Sequence, residues 1–165
     1  MYKRQIQAGN LDLGTITVQQ HSSIAVGDKV PNFEFRQADG EKGQLADLQG
    51  SVVLLELWAA WCEECEKDKP QLTKLADSLN SSTRMLSVEY PGSGPYKRGS
   101  TINKDRWTAA QLIYDLYTPG SEYQALFQQL GAYSLPCYVM IDAKGKLLYR
   151  GDIDGAVQLI DQLKE

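Results

Sequence analysis

A continuous apolar run, Val52-Val53-Leu54-Leu55, extends through Glu56-Leu57-Trp58 and predicts a buried strand from about Val52 to Trp58. The period then lengthens. Leu72, Leu75, Ala76 and Leu79 share one stripe, which predicts a helix from about Cys62 to Leu79. Pro70 falls inside it and is expected to kink it, because proline removes a backbone bond and crowds the previous turn. A second strand is predicted for Met85 to Tyr90, and helices for Trp107 to Tyr117 and Glu122 to Leu130. Pro119-Gly120 ends the first of these helices, and Gly131 suits the C-cap of the second. Tyr138 to Ile141 and Lys146 to Tyr149 read as strands joined by the tight turn Asp142-Ala143-Lys144-Gly145. Ile153 to Leu163 closes the chain as a helix.

Upstream, Phe33-Glu34-Phe35 predicts a short strand, and Leu45 to Leu48 one helical turn stopped by Gly50. Residues 1–24 are polar with scattered β-formers. Ile6 and Leu11-Asp12-Leu13 flank Gly9-Asn10, a weak hairpin signal for an N-terminal extension. Residues 91–104 are rich in Gly, Ser and Pro and read as a loop. Strands alternate with helices before a final hairpin and helix. The expected class is α/β, with a mixed central sheet and helices on both faces, in one domain over 25–165.

Composition narrows the setting. A chain of 165 residues, 42% hydrophobic and 23% charged, can bury one ordinary core. The net charge of −4 argues against nucleic acid or an anionic membrane as the main partner. No apolar run approaches transmembrane length, so no stable membrane insertion is expected of this sequence. Three cysteines are too few for a disulfide scaffold and leave one unpaired. Gly9, Asn10, Asp12 and Gly14 break the early apolar positions, so no signal-peptide core is visible. Either the protein is cytosolic, or a signal or anchor has been removed.

Cys62 and Cys65 form a Cys-x-x-Cys pair where the central strand meets its helix. The helix dipole and free N–H groups there can stabilise a thiolate. Cysteines at i and i+3 share a helix face and can close a small disulfide ring, as in a dithiol that cycles between oxidised and reduced forms. A zinc site needs about four ligands, and only Cys137 and His21 remain to contribute; no metal and no cofactor are expected. Glu56 is the odd residue of an apolar strand, and a carboxylate buried there would hold its proton more tightly. Glu63 and Glu64 place negative charge beside Cys62, which disfavours its thiolate and makes the dithiol the better electron donor. The blander reading makes them solvated first-turn acids that suit the dipole. Trp58 is expected in the core and Trp61 beside the disulfide; Glu89, at a strand end, reads either as a second acid near the site or, the blander reading, as an exposed strand-end acid.

The segment Trp58-Ala59-Ala60-Trp61-Cys62-Glu63-Glu64-Cys65, with Asp68 and Pro70 following, resembles the active-site segment of thioredoxin-fold thiol–disulfide oxidoreductases. It is most similar to the TlpA/ResA-like branch, which overlaps the AhpC/TSA-like group. Val26-Gly27-Asp28-Lys29-Val30-Pro31-Asn32-Phe33 resembles that branch's opening motif, and Ile141 to Leu147 its late hairpin. Ser134-Leu135-Pro136 stands where these proteins carry a cis-proline. The resemblance covers roughly residues 25–165. It implies a thioredoxin-like fold, Cys62 as nucleophile, Cys65 as the resolving cysteine, and Glu56 as the acid that moves protons to and from Cys65. It also implies a substrate surface at Trp61, Leu135 and Pro136, a protein disulfide as substrate, an upstream dithiol donor, and a monomer. The periplasm or an extracytoplasmic face follows by the same analogy, with the cytoplasm as the alternative. Two departures stand out: Glu63-Glu64 lacks the proline often found between the cysteines, and Cys137 follows the cis-proline position, where a small residue is usual. The segment 91–132 is also longer than in minimal thioredoxins. The rivals are a thiol peroxidase, which usually has a Pro-x-x-x-Thr lead-in that is missing before Cys62, and a non-catalytic redox or metal-binding module.

Overall fold

A computed structural model of the protein describes residues 23–37, 40–89, 107–112 and 122–164. The elements run β1 (Glu34–Gln37), β2 (Lys42–Gln44), a 3-10 turn (Leu45–Leu48), β3 (Val52–Trp58), α1 (Glu63–Ser78), β4 (Thr83–Glu89), β5 (Trp107–Leu112), α2 (Glu122–Gln129), β6 (Cys137–Ile141), β7 (Leu147–Gly151) and α3 (Ile153–Gln162). The seven strands form one mixed sheet in the order β2-β1-β5-β4-β3-β6-β7. Strands β3, β4 and β5 are parallel, while β6 runs antiparallel to β3 and β7 antiparallel to β6.

Strand β3 is central, and its side chains alternate between two cores. Val53, Leu55 and Leu57 pack with Leu86, Val88, Val139 and Ile141 against Leu126 and Phe127 of α2. Leu54, Met85 and Met140 pack on the other face against Leu72, Leu75 and Ala76 of α1 and Ile153, Ala156 and Ile160 of α3. Each fully buried leucine contributes about 1.5–3 kcal/mol relative to exposure. The helices therefore cover both faces, as expected. The hairpin between β6 and β7 turns on Asp142, whose Oδ1 accepts from the N–H groups of Lys144 and Lys146, both at 2.8 Å. Gly145 supplies the positive φ of +81° that this turn needs.

Several expectations need correction. The helix expected over Trp107 to Tyr117 is a strand over Trp107–Leu112, inserted between β4 and β1; residues 113–117 lie outside the described residues. Tertiary pairing has overridden the helix-forming Ala109, Ala110, Gln111 and Leu112. Strand β2 was not expected, because Lys42-Gly43-Gln44 holds no strong β-former; it pairs with β1 as an edge. Helix α1 includes Pro70 within its span, where the apolar stripe placed it. The hairpin expected around Gly9-Asn10 and the loop over 91–104 lie outside the described residues.

Candidate active site

The C-terminal end of β3 delivers the chain into α1, and the cysteine pair sits on that junction. Cys62 is the N-cap of α1, with extended backbone angles. Its Sγ accepts the N–H of Cys65 at 3.1 Å, one of the donors that a helix start leaves without a partner. The Cys62 N–H donates to the Ala59 carbonyl at 3.1 Å, which fixes the entry turn. Cys62 and Cys65 are joined by a disulfide, with Cα atoms 5.3 Å apart. Both are buried, Cys65 completely and Cys62 to 6% exposure, so Cys62 is the sulfur nearer solvent. With Trp58 and Ala59 they form a small cluster of their own, and Leu135 packs against it.

Beneath this cluster the sheet turns polar. By alternation, Glu56 and Trp58 share the face of Leu54, under α1. Glu56 is fully buried in the interior of the sheet, between Ser87 on β4 and Tyr138 on β6. Ser87 Oγ donates to Glu56 Oε2. Tyr138, also fully buried, donates its hydroxyl to Asp68 Oδ2 at 3.0 Å. Asp68 lies one turn beyond Cys65 on α1, between Cys65 and Leu72 on its inward stripe. Glu89 lies opposite Trp58 at the end of β4. It is 2% exposed, which corrects the expectation of a solvent-facing acid. Strand β5 covers it from the other side, where Gln111 is its register partner.

The first turn of α1 carries Glu63, Glu64 and Glu66. Glu64 pairs with Lys67 and Glu66 with Lys69 on the helix surface. Glu63, directly beside Cys62, stands outside those two pairs. Its charge favours the helix dipole but opposes a thiolate on its neighbour.

Beside Cys62 the surface is apolar. Trp61 is 65% exposed and lines a groove of about 350 Å³ with Leu135, Phe127 and Tyr133. The Leu135–Pro136 peptide bond is cis and leads straight into β6. Cys137 is a free, buried thiol in register with Leu57. It belongs to the α2-side core rather than to the disulfide cluster. Burial pushes this thiol up to about 11, against a smaller downward pull from Arg150 and the Gly151 N–H.

The structure thus gathers Cys62, Cys65, Trp61, Leu135 and Pro136 at one end of the sheet, with Glu56 below them and Glu63 and Glu64 at the rim. Sequence reasoning missed Ser87, the Tyr138–Asp68 bond and Tyr133. The strand register that pairs Ser87 with Glu56 has no local signature, and Tyr138 and Asp68 are 70 positions apart.

Comparison with known proteins agrees with this architecture. The family model described as AhpC/TSA family matches residues 26–150. The thioredoxin-like protein YneN of Bacillus subtilis is 33% identical over 123 residues, covering 74% of this chain and 68% of that protein. The thiol-disulfide oxidoreductase ResA of Bacillus thuringiensis is 40% identical over 52 residues, which spans 32% of this chain and 30% of ResA. In structure, the thioredoxin domain of a thiol-disulfide oxidoreductase from Bacteroides vulgatus superposes with a TM-score of 0.67 at 18% identity, covering 87% of this chain and all of that one. That likeness establishes the fold, and together with the family match over 26–150 it shows that the chain belongs to the AhpC/TSA family, as a TlpA/ResA-like protein of the thioredoxin fold.

Proposed function

We infer that this chain is a thiol–disulfide oxidoreductase that exchanges disulfides with protein substrates, acting as a reductase. The observation that carries this reading is the Cys62–Cys65 disulfide on the N-cap of α1, at the end of the strand that buries Glu56. In the reduced protein the Cys62 thiolate, held by the Cys65 N–H and the helix dipole, attacks one sulfur of a substrate disulfide. A Cys62–substrate disulfide forms, the substrate S–S bond breaks, and one substrate thiolate leaves. Cys65 then gives up its proton and attacks Cys62 Sγ. The Cys62–Cys65 bond forms and the second substrate thiolate leaves. Two electrons pass to the substrate, whose thiolates take up two protons. An upstream dithiol donor restores the pair by the same exchange in reverse, with no bound cofactor.

Glu56 is the proton acceptor for Cys65 in the second step. It lies on the same face of the sheet as the cysteine cluster, and Ser87 holds one of its oxygens. Glu63, and Glu64 to the extent that Lys67 leaves it uncompensated, disfavour the thiolate and so favour the donor direction. Trp61, Leu135 and Pro136 receive the substrate backbone beside Cys62. Residues 25–165 act as one unit, to which Ile24 is already tied by its N–H on the Gln129 carbonyl. The periplasm or another extracytoplasmic face is the proposed compartment, on family resemblance.

The test separates the two cysteines. Reduced protein is mixed with a disulfide-bonded protein, and the release of substrate thiols is followed. Cys62→Ser is expected to reduce turnover to background. Cys65→Ser is expected to attack normally and to accumulate a mixed disulfide, visible by mass. Normal turnover by Cys65→Ser would remove the division into nucleophile and resolver. Faster consumption of hydrogen peroxide than of any disulfide would point to a peroxidase instead. A reduction potential for the pair near about −270 mV, rather than about −120 mV, is expected for a reductase.

A further inference from the structure

A thiolate at the Cys62 position can act only on what the neighbouring surface lets approach, and that surface is uneven. On the α1 side it is acidic, with Glu63 and Glu64 exposed. On the side of the cis-proline loop it is apolar. Trp61 is 65% and Tyr133 72% exposed, so two of the large apolar side chains that the protein leaves in solvent stand on the same groove. Phe127, Ala132 and Leu135 complete its apolar lining, and among the described residues no charged side chain lines it. The groove is continuous with the reactive pair, because Leu135 packs both there and against the cluster of Trp58, Ala59, Cys62 and Cys65. Exposed apolar surface gathered this way marks a contact site more often than chance.

We propose that Trp61 and Tyr133 are the two walls of a specificity notch. It admits an aromatic side chain located two residues from the attacked cysteine in an extended substrate polypeptide. This rests on the thiol–disulfide exchange inferred above and names the substrate class of that same site. The volume supports the occupant. At about 350 Å³ the groove is at the small end of ligand sites, roughly 300–1,000 Å³, so it takes a side chain rather than a folded surface. Side chains of an extended segment alternate in direction, which lets one of them enter the groove while the cysteine two positions on stays on the same side. Acidic neighbours of that cysteine are repelled by Glu63 and Glu64, and aromatic ones are drawn to the notch. Part of the gain from burying an aromatic ring is offset by ordering the peptide, leaving about a tenfold preference. Tyr133 is the specificity-determining residue, because it lines the groove with Trp61 and is the more exposed of the two aromatic side chains there.

The experiment uses two synthetic peptides, each carrying a cysteine in mixed disulfide with 2-mercaptoethanol, that differ only in phenylalanine or serine two residues from that cysteine. The reduced protein is expected to prefer the phenylalanine peptide about tenfold in kcat/KM, with the difference carried by KM. Tyr133→Ser should bring the ratio close to one, and Tyr133→Phe should retain the preference. A wild-type ratio of one, or a preference that survives Tyr133→Ser, would overturn the notch. Bis(2-hydroxyethyl) disulfide serves as a substrate too small to use it. If neither this disulfide nor either peptide is reduced, the redox function fails, and calorimetric titration of the oxidised protein with the same peptides bearing serine in place of cysteine decides the notch. Tighter binding of the phenylalanine peptide supports it, and equal binding rejects it.

Discussion

The two faces of the central sheet are built to different rules. On the α2 side, β3 contributes Val53, Leu55 and Leu57, and its neighbours contribute Leu86, Val88, Val139 and Ile141, an apolar surface across the middle of the sheet with Arg84 and Arg150 at its margins. On the α1 side the same strands begin in the same way, with Leu54, Met85 and Met140. Toward the C-terminal ends of β3 and β4 they then change to Glu56, Ser87 and Glu89, all buried. The start of α1, with Cys62 and Cys65, lies at that end. Buried carboxylates cost stability unless they are hydrogen-bonded. Among the described residues the buried carboxylates, Glu56 and Glu89, both lie on the α1-side face, toward the end of the sheet that carries the cysteines. The apolar face supplies the stability, and the polar end uses some of it.

The largest effect expected from testing this contrast is kinetic. Glu56→Gln preserves shape and leaves an oxygen able to accept from Ser87 Oγ, but it removes the carboxylate proposed to accept the Cys65 proton. Attack by Cys62 should continue at its normal rate, while resolution by Cys65 slows by about 10²–10⁴-fold, the usual contribution of a positioned base. Quenching the reaction with acid and counting mixed disulfide by mass separates the steps. Equal rates for both steps in Glu56→Gln and wild type would strip the polar end of its role. Replacing the pair together, as Glu56→Leu with Ser87→Ala, should be neutral or stabilising in urea, because both partners of a buried polar contact then become apolar. Glu56→Leu alone loses that advantage, since it removes the carboxylate to which Ser87 Oγ donates.

The matching experiment on the other face should have the opposite profile. Leu55 is completely buried in the α2-side core. Leu55→Ala is expected to cost about 2–5 kcal/mol, read as a lower midpoint in urea at constant slope. Under native conditions its rates for attack and resolution should both stay near wild type. A large kinetic defect in folded Leu55→Ala would break the division between the two faces.

What the sequence displayed of this arrangement follows the same division. The apolar run of β3, the stripe of α1 and the β6–β7 hairpin carry local patterns, and their limits were legible within a residue or two. The Cys62-x-x-Cys65 pair was legible for the same reason, since its spacing and its place after a strand are both local. Strand β5 was not, because Thr108-Ala109-Ala110-Gln111-Leu112 suits a helix locally and becomes a strand only through β4 and β1 on either side. Glu89 was misread for a related reason. Its burial depends on β5, which pairs beside it. The Ser87 hydroxyl was invisible because a parallel register is set by the whole sheet and not by neighbours in sequence. The cysteine pair and Glu56 were therefore readable, and Ser87 and the Tyr138–Asp68 bond were not.

The smallest expected effect concerns Cys137, which sits at the same end of the sheet as the cysteine pair but belongs to the apolar face. Its thiol is raised to about 11, chiefly by burial. A raised value means that the folded protein holds this proton where the unfolded chain, near the ordinary value of 9.0, has released it. The folded state then binds more protons between about pH 9 and about pH 11. By linkage, the stability associated with this group is fully present below pH 9 and is lost as pH rises through that window. Cys137→Ala should therefore flatten the alkaline limb of a plot of urea midpoint against pH, after a constant offset for the lost packing. The same burial makes Cys137 a poor nucleophile at neutral pH. Oxidised protein should show one Cys62–Cys65 bond by mass spectrometry, and Cys137 should take up iodoacetamide only after unfolding. An alkaline limb unchanged in Cys137→Ala would mean that the thiol titrates alike in both states. A dominant disulfide from Cys137 to Cys62 or Cys65 would go further, because it would make the apolar face a participant in the redox cycle.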